Sequence, residues 1–158
     1  MRRMRIYLDT SVISYLDQQD ALEKTQKTLD LWAYLKSGEC ETCISESVLA
    51  ELTQCPEPKQ TQLFGFLEEI PYQVLETDRY VEELVEGYLS ENVLTKAHYL
   101  DLYHLATASV NFCNILISWN FRHIVQNKTM TGVNITNKKF GYGELLLLSP
   151  FSFTWEED

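Results

Sequence analysis

The sequence predicts an α/β fold built on a mainly parallel sheet, and three observations carry that expectation. Short apolar runs alternate with stretches of helical length along the whole chain, the order that produces strand–helix–strand units. There are no repeats, low-complexity segments or linkers. The length of 158 residues suits one domain covering 1–158, large enough to bury roughly 68–70% of the surface its unfolded chain exposes.

The first strand is Arg5 to Leu8, followed by a short helix from about Ser11 to Leu16. A longer helix runs from about Ala21 to Lys36, with Leu22, Leu29, Trp32 and Leu35 at helical spacing and Gly38 as a stop just beyond. Thr42 to Ile44 is the second strand. Ser45 or Ser47 caps the next helix, whose Val48, Leu49 and Leu52 face the core, and Cys55-Pro56-Glu57-Pro58 ends it. A helix from about Lys59 to Glu69 stops before Pro71, and Gln73 to Leu75 is the third strand. Helices over Arg79–Leu89 and Tyr99–Asn111 flank the polar segment Glu91 to Lys96. Asn114 to Ser118 is the clearest strand of all. Val133 to Ile135 reads as a short fifth strand, and Leu145 to Leu148 as a helical or extended piece.

The chain carries 13 basic and 23 acidic residues, a net charge of −10. Such a charge opposes tight nucleic-acid binding unless cations or a local basic patch offset it. The basic start Met1-Arg2-Arg3-Met4-Arg5 precedes only three apolar residues, too few for a secretory signal. The longest aliphatic run, Leu145 to Leu148, is far short of a membrane span. A cytoplasmic protein is expected. Cys40 and Cys43 form a lone CxxC without a second ligand pair, and Cys55 and Cys113 do not supply one. Reduced, mostly buried thiols are the expectation.

In open α/β sheets, ligands sit outside the carboxyl ends of the strands. Asp9 ends the first strand, and Asn120 follows the fourth in Ser118-Trp119-Asn120. Asp101 lies near the start of the helix leading into that strand, and Glu51 lies on the helix after the second. Together they would make an oxygen-rich cluster suited to Mg²⁺ or Mn²⁺. Each alone has a plainer role open to it: Asp9 as a helix cap, Glu51 as a solvated helix residue, Asp101 as a first-turn carboxylate, Asn120 as a turn residue. Thr10, Ser11 and Ser118 are positioned to hydrogen-bond the carboxylates or a phosphate. His104 either lines the cleft or packs on its helix. Arg122 and His123 are candidates for RNA backbone contact, with Lys138 and Lys139 a weaker pair. Trp32, Tyr34, Tyr80 and Tyr88 sit at helical spacing, as core or partner surface. A haloacid-dehalogenase-type phosphatase is excluded, because it needs an aspartate where Ser11 stands.

Asp9-Thr10-Ser11, Ser47-x-x-x-Glu51, Asp101-x-x-His104-Leu105-Ala106 and Ile117-Ser118-Trp119-Asn120-Phe121 occur in the order seen in the PIN-domain family. The chain resembles its VapC-type toxins in particular, over essentially its whole length. Ser118 to Ile124 and Gly132-Val133-Asn134 are the most specific stretches.

The resemblance implies a three-layer α/β/α PIN-like fold around a five-stranded, mostly parallel sheet. It further implies a divalent-metal-dependent endoribonuclease, the toxin of a toxin–antitoxin pair, forming a homodimer and restrained by a small antitoxin. Asp9, Glu51 and Asp101 would hold one or two Mg²⁺ or Mn²⁺ ions, with Asn120 completing the catalytic set. Many members carry an aspartate where this chain has Asn120, which weakens a second metal position. The alternative is a PIN-like module that has lost catalysis and serves as a protein- or RNA-binding scaffold.

Overall fold

The computed structural model describes residues 3–17 and 20–155; Met1 and Arg2 of the basic start lie outside them. Five strands form one sheet: β1 (Arg5–Leu8), β2 (Glu41–Ser45), β3 (Gln73–Leu75), β4 (Ile115–Ile117) and β5 (Leu146–Leu148). Every pairing is parallel, in the order β3-β2-β1-β4-β5. The central strands are buried along their length: Ile6, Tyr7 and Leu8 on β1, Thr42 to Ser45 on β2, and Ile115 to Ile117 on β4. Continuous burial is what a parallel sheet covered by helices on both faces requires, and the fold is a three-layer α/β/α sandwich. At each edge the pattern relaxes, with Val74 on β3 and Leu146 on β5 exposed.

Among the described residues seven helices pack around it: α1 (Thr10–Ser14), α2 (Leu22–Lys36), α3 (Glu46–Thr53), α4 (Lys59–Leu67), α5 (Arg79–Ser90), α6 (Tyr99–Val110) and α7 (Asn127–Phe140). Single-turn 3-10 segments at Tyr15–Asp17 and Lys96–His98 follow α1 and precede α6. Three N-termini are held by side-chain caps: Asp9 accepts from the Val12 amide, Ser45 from Val48, and Asp78 from Tyr80 and Val81. Each such cap contributes about 1 kcal/mol. Gly141, at φ +84°, closes α7 in the left-handed conformation that glycine adopts without strain.

The helices fall into two packed groups. Helices α5, α6 and α7 form one, and a buried knot ties them: the Tyr88 hydroxyl donates to Asn137 Oδ1 (2.6 Å), and Asn137 Nδ2 donates to Ser109 Oγ (2.9 Å). In the other, Trp32 Nε1 on α2 donates to the Phe66 carbonyl on α4 (2.9 Å). The loop after β4 joins it, since Trp119 Nε1 donates to Thr28 Oγ1 (2.9 Å). No helix among the described residues is long and apolar enough to cross a membrane.

Two expectations are corrected. Val133 to Ile135 is not a strand but the middle of α7. Its buried positions Thr129, Val133, Thr136 and Asn137 follow helical spacing, while Ile135 is exposed. The fifth strand is instead β5, within Leu145 to Leu148, extended along β4. Asn134 explains how the two segments are coupled: its side chain accepts from the Leu145 amide (2.7 Å) and donates to the Leu145 carbonyl (2.9 Å). Finally, Leu22 and Leu29 do not belong to the core face of α2, which is Thr28, Leu31, Trp32 and Leu35. Of the four aromatic residues at helical spacing, Trp32 and Tyr88 are core, Tyr34 packs partly against it, and Tyr80 is exposed.

All four cysteines are free thiols, three of them buried. Cys43 has the Cys113 thiol as its hydrogen-bonding neighbour.

Candidate active site

Chain direction across the sheet reverses between β1 and β4: β2 and β3 are laid on one side of β1, and β4 and β5 on the other. Loops leaving the carboxyl ends of two such strands diverge and open a crevice. Asp9 leaves β1 and Ser118-Trp119-Asn120 leave β4, so both segments line this switch point.

Two serines stitch the edges together. Ser11 Oγ accepts from the Trp119 amide (2.9 Å) and donates to Asp9 Oδ1 (2.6 Å). Ser118 Oγ accepts from the Asn120 amide (2.9 Å) and donates to Asp9 Oδ2 (2.5 Å). Each hydroxyl thus passes a backbone N–H on to a different oxygen of one buried carboxylate. Burial pushes the Asp9 carboxyl above the ordinary carboxylate range, against the opposing pull of His104, the two serines and the Val12 amide.

Glu51, on α3, is held by a chain of buried groups. His104 Nε2 on α6 lies 3.0 Å from Glu51 Oε1, and His104 Nδ1 lies 2.6 Å from the Tyr7 hydroxyl, which also bonds Ser45 Oγ (2.7 Å). An ionised carboxylate only accepts, so the proton on Nε2 points at Glu51. For Glu51, burial works upward, but the hydrogen bond and charge of His104 outweigh it and hold the carboxyl below its usual range. Thr10 Oγ1 adjoins Glu51; it is buried and lacks a hydrogen-bond partner of good geometry.

Asp101 sits in the first turn of α6. Burial raises its pKa and Glu51 adds to the rise, while His104, His123 and His98 draw it down. Those are all three histidines of the chain. The Asn120 side chain donates through Nδ2 to Asp101 Oδ2 (3.3 Å) and accepts through Oδ1 from the His123 amide (2.9 Å). The amide orientation follows from the backbone, since the His123 N–H requires an oxygen. Asn120 therefore both shapes the turn after β4 and touches Asp101.

The remaining candidates divide. His123 stands at the site, its ring 3.7 Å from that of His98. Arg122 is exposed on the same turn and makes no ion pair among the described residues. Lys139 is committed to Glu91 (2.6 Å), and Lys138 is exposed beside it. Tyr7 and Ser45 were not signalled by the sequence as site residues, because a tyrosine inside a strand and a serine before a helix read as core and cap. His98 had one available signal, its place just before the helix that bears Asp101.

Among the described residues, no three acidic, histidine or cysteine side chains stand in metal-holding geometry as they lie; each carboxylate rests on a protein donor instead. The donor chemistry nonetheless fits a hard divalent cation. Asp9, Glu51 and Asp101 supply carboxylate oxygens, and the buried Thr10 Oγ1 adjoins Glu51.

No protein-family model and no curated protein sequence matches the chain. Solved structures do. A chain in the crystal structure of VapBC2 from Rickettsia felis, bound to a DNA fragment from their promoter, is similar with a TM-score of 0.60 at 16% identity, over 92% of this chain and 98% of that one. At that identity the likeness is one of fold alone, the three-layer PIN-like α/β/α arrangement.

Proposed function

We propose that this chain is a divalent-metal-dependent endoribonuclease and the toxin of a toxin–antitoxin pair. The observation that carries the reading is the delivery of Asp9, Glu51 and Asp101, from β1, α3 and α6, to surroundings that share one buried imidazole, His104. Three carboxylates gathered at a switch point invite positive charge and a phosphate.

Asp9 and Asp101 would hold Mg²⁺ or Mn²⁺, with Glu51 beside them. When bound, such a cation neutralises charge on the phosphate and acidifies water. Glu51, kept ionised and oriented by His104 Nε2, would accept the proton of the attacking water; the water oxygen bonds to phosphorus as the bond to a ribose oxygen breaks, and that oxygen leaves with a proton taken from solvent. Ser11 and Ser118 fix both oxygens of Asp9, so its orientation is set before substrate arrives. Asn120 holds Asp101 and, through its other end, the turn bearing Arg122 and His123, which are placed to meet the RNA backbone. The partners proposed are a small antitoxin protein and a second copy of the chain; the solved structure of like fold is itself described as a VapBC2 complex.

A second reading, a scaffold without catalysis, draws on Asn120, a neutral donor to Asp101 where many PIN nucleases have an acid. One experiment separates them. Labelled single-stranded RNA is incubated with the purified chain plus Mg²⁺ or Mn²⁺, with and without EDTA, beside Asp9→Asn and Asp101→Asn. The nuclease reading expects cleavage that EDTA and either substitution abolish, with circular dichroism unchanged. Undiminished cleavage in EDTA overturns the metal mechanism, and no cleavage by the unaltered chain in Mn²⁺ favours the scaffold.

A further inference from the structure

Beside the carboxylates lies a second concavity, a cavity of about 520 Å³ between the end of α5, the 3-10 turn before α6 and the start of α7. Its lining includes Lys96, His98, His123 and Lys128, and not one Asp or Glu. In a chain with 23 acidic against 13 basic residues, an acid-free cavity with two lysines and two imidazoles runs against the composition.

The lysines are also uncommitted. Arg3 and Arg5 pair with Glu41, Lys36 with Glu69 and Lys139 with Glu91, whereas neither Lys96 nor Lys128 forms an ion pair among the described residues. The rings of His98 and His123 lie 3.7 Å apart, tilted by 32°, and both act on Asp101. The cavity therefore shares a wall with the carboxylate site. The first turn of α7 adds to the same field: its cap residue Gln126 makes no side-chain cap, and Lys128 and Thr129 of that turn line the cavity.

We propose that this cavity seats a phosphate of the RNA backbone next to the one being cleaved, with Lys96 and Lys128 as its cationic contacts and His98 and His123 as the wall toward Asp101. The inference rests on the ribonuclease reading and extends it. It supplies the local positive charge that the composition withholds, on the side of the site where Asp101 needs a cationic neighbour. Two lysines on different elements would also set the direction in which the strand leaves the carboxylates.

The test uses the full chain in EDTA, so that binding is read without cleavage, and a short fluorescein-labelled single-stranded RNA followed by anisotropy. The Lys96→Gln/Lys128→Gln variant is compared with Lys36→Gln/Lys59→Gln, which removes the same charge elsewhere. Both lysines of the first pair are exposed, so the fold should survive, as circular dichroism will verify. The expected result is a rise in Kd of about tenfold for the first variant alone. Its plot of log K against log salt should be shallower by about 0.7 for each phosphate that no longer meets a lysine, and its KM for RNA in Mn²⁺ should rise in parallel. Equal weakening by both variants would mean a general charge effect and overturn the proposal. Unchanged RNA binding would overturn it too, leaving the cavity to another occupant such as an acidic peptide. Inorganic phosphate that binds the unaltered chain through Lys96 and Lys128 without competing with RNA would reassign the seat to a free anion. If the unaltered chain neither binds nor cleaves RNA, the ribonuclease reading itself fails and takes this inference with it.

Discussion

His104 Nε2 stands 3.0 Å from Glu51 Oε1 while its Nδ1 stands 2.6 Å from the Tyr7 hydroxyl, so a single imidazole joins a candidate catalytic carboxylate to the core strand of the sheet. Tyr7 has no exposed surface and His104 only 3%. Such groups are stable inside only when their polar atoms are paired. The orientation of Glu51 is therefore bound up with the stability of the domain.

Tyr7→Phe tests that coupling. The change removes one oxygen from a filled core position, leaving His104 Nδ1 without its partner and Ser45 Oγ with only the Val48 amide, at a cost of about 1–3 kcal/mol. The urea midpoint should fall accordingly with an unchanged slope. RNA cleavage should drop by about 10- to 100-fold, the usual consequence of losing a group that supports a metal-site residue. His104→Gln should lower activity at least as much. Full activity in both variants would show that Glu51 does not depend on this chain of groups.

Asp9 makes the opposite kind of contribution in the metal-free protein. Burial raises its folded-state pKa above the unfolded value, so ionising it costs more in the native state than in the unfolded chain. That cost is present in full above the raised folded pKa and disappears as pH falls through it toward the ordinary carboxylate value. Asp9→Asn should consequently raise Tm over the unaltered protein at neutral pH in EDTA, with the advantage shrinking as the buffer is acidified, while activity is lost. Differential scanning fluorimetry across pH checks the sign. A lower Tm for the variant at every pH would mark Asp9 as a cap more than as a site residue.

How far the sequence reached depends on what each segment had to declare. Strands β1, β2 and β4 are short, apolar and bounded by polar residues, and Asp9 and Asn120 follow directly from where two of them stop. Four consecutive leucines in Leu145 to Leu148 carry no periodicity, so only pairing with β4 decides between strand and helix. Val133 and Ile135 read as strand because they are β-branched, and tertiary contact overrode that preference: Gly132 packs on Val93, and Asn134 grips Leu145. The hydrogen-bonded chain from Glu51 to Ser45 was invisible because Tyr7 and His104, from β1 and α6, reach the capped helix α3 only in the folded chain. The lysines and histidines of the second cavity fall into two local pairs, Lys96 with His98 and His123 with Lys128, and the pairs converge only in the fold.

Leu22 and Leu29 give the proposed homodimer a place. They lie seven residues apart on α2 and hence on one face, and they are 75% and 40% exposed. Leu22→Glu/Leu29→Glu should convert a dimer to a monomer in sedimentation velocity at micromolar concentration, without loss of helicity. A chain that is already monomeric, or a variant that stays dimeric, removes α2 from the interface.

Asn120 offers the sharpest test, because its two ends have separate partners. The oxygen is held by the His123 amide and the nitrogen faces Asp101 Oδ2 at 3.3 Å. Asn120→Asp keeps the first contact and turns the second into two facing oxygens. Without metal, like charges at that separation repel by a few kcal/mol at an effective dielectric near 20, offset in part by protonation of Asp101, whose pKa burial already raises. The variant should therefore melt lower than the unaltered protein in EDTA. Mn²⁺ between the two carboxylates would reverse the penalty, so its affinity should rise and the Mg²⁺ needed for half-maximal cleavage should fall. Each tenfold gain in affinity adds about 1.4 kcal/mol at saturation, so the rise in Tm on adding Mn²⁺ should be larger in Asn120→Asp than in the unaltered chain. If Asn120 serves only the turn through His123, the two proteins will show the same Mn²⁺ shift, and the amide's approach to Asp101 will have no part in metal binding.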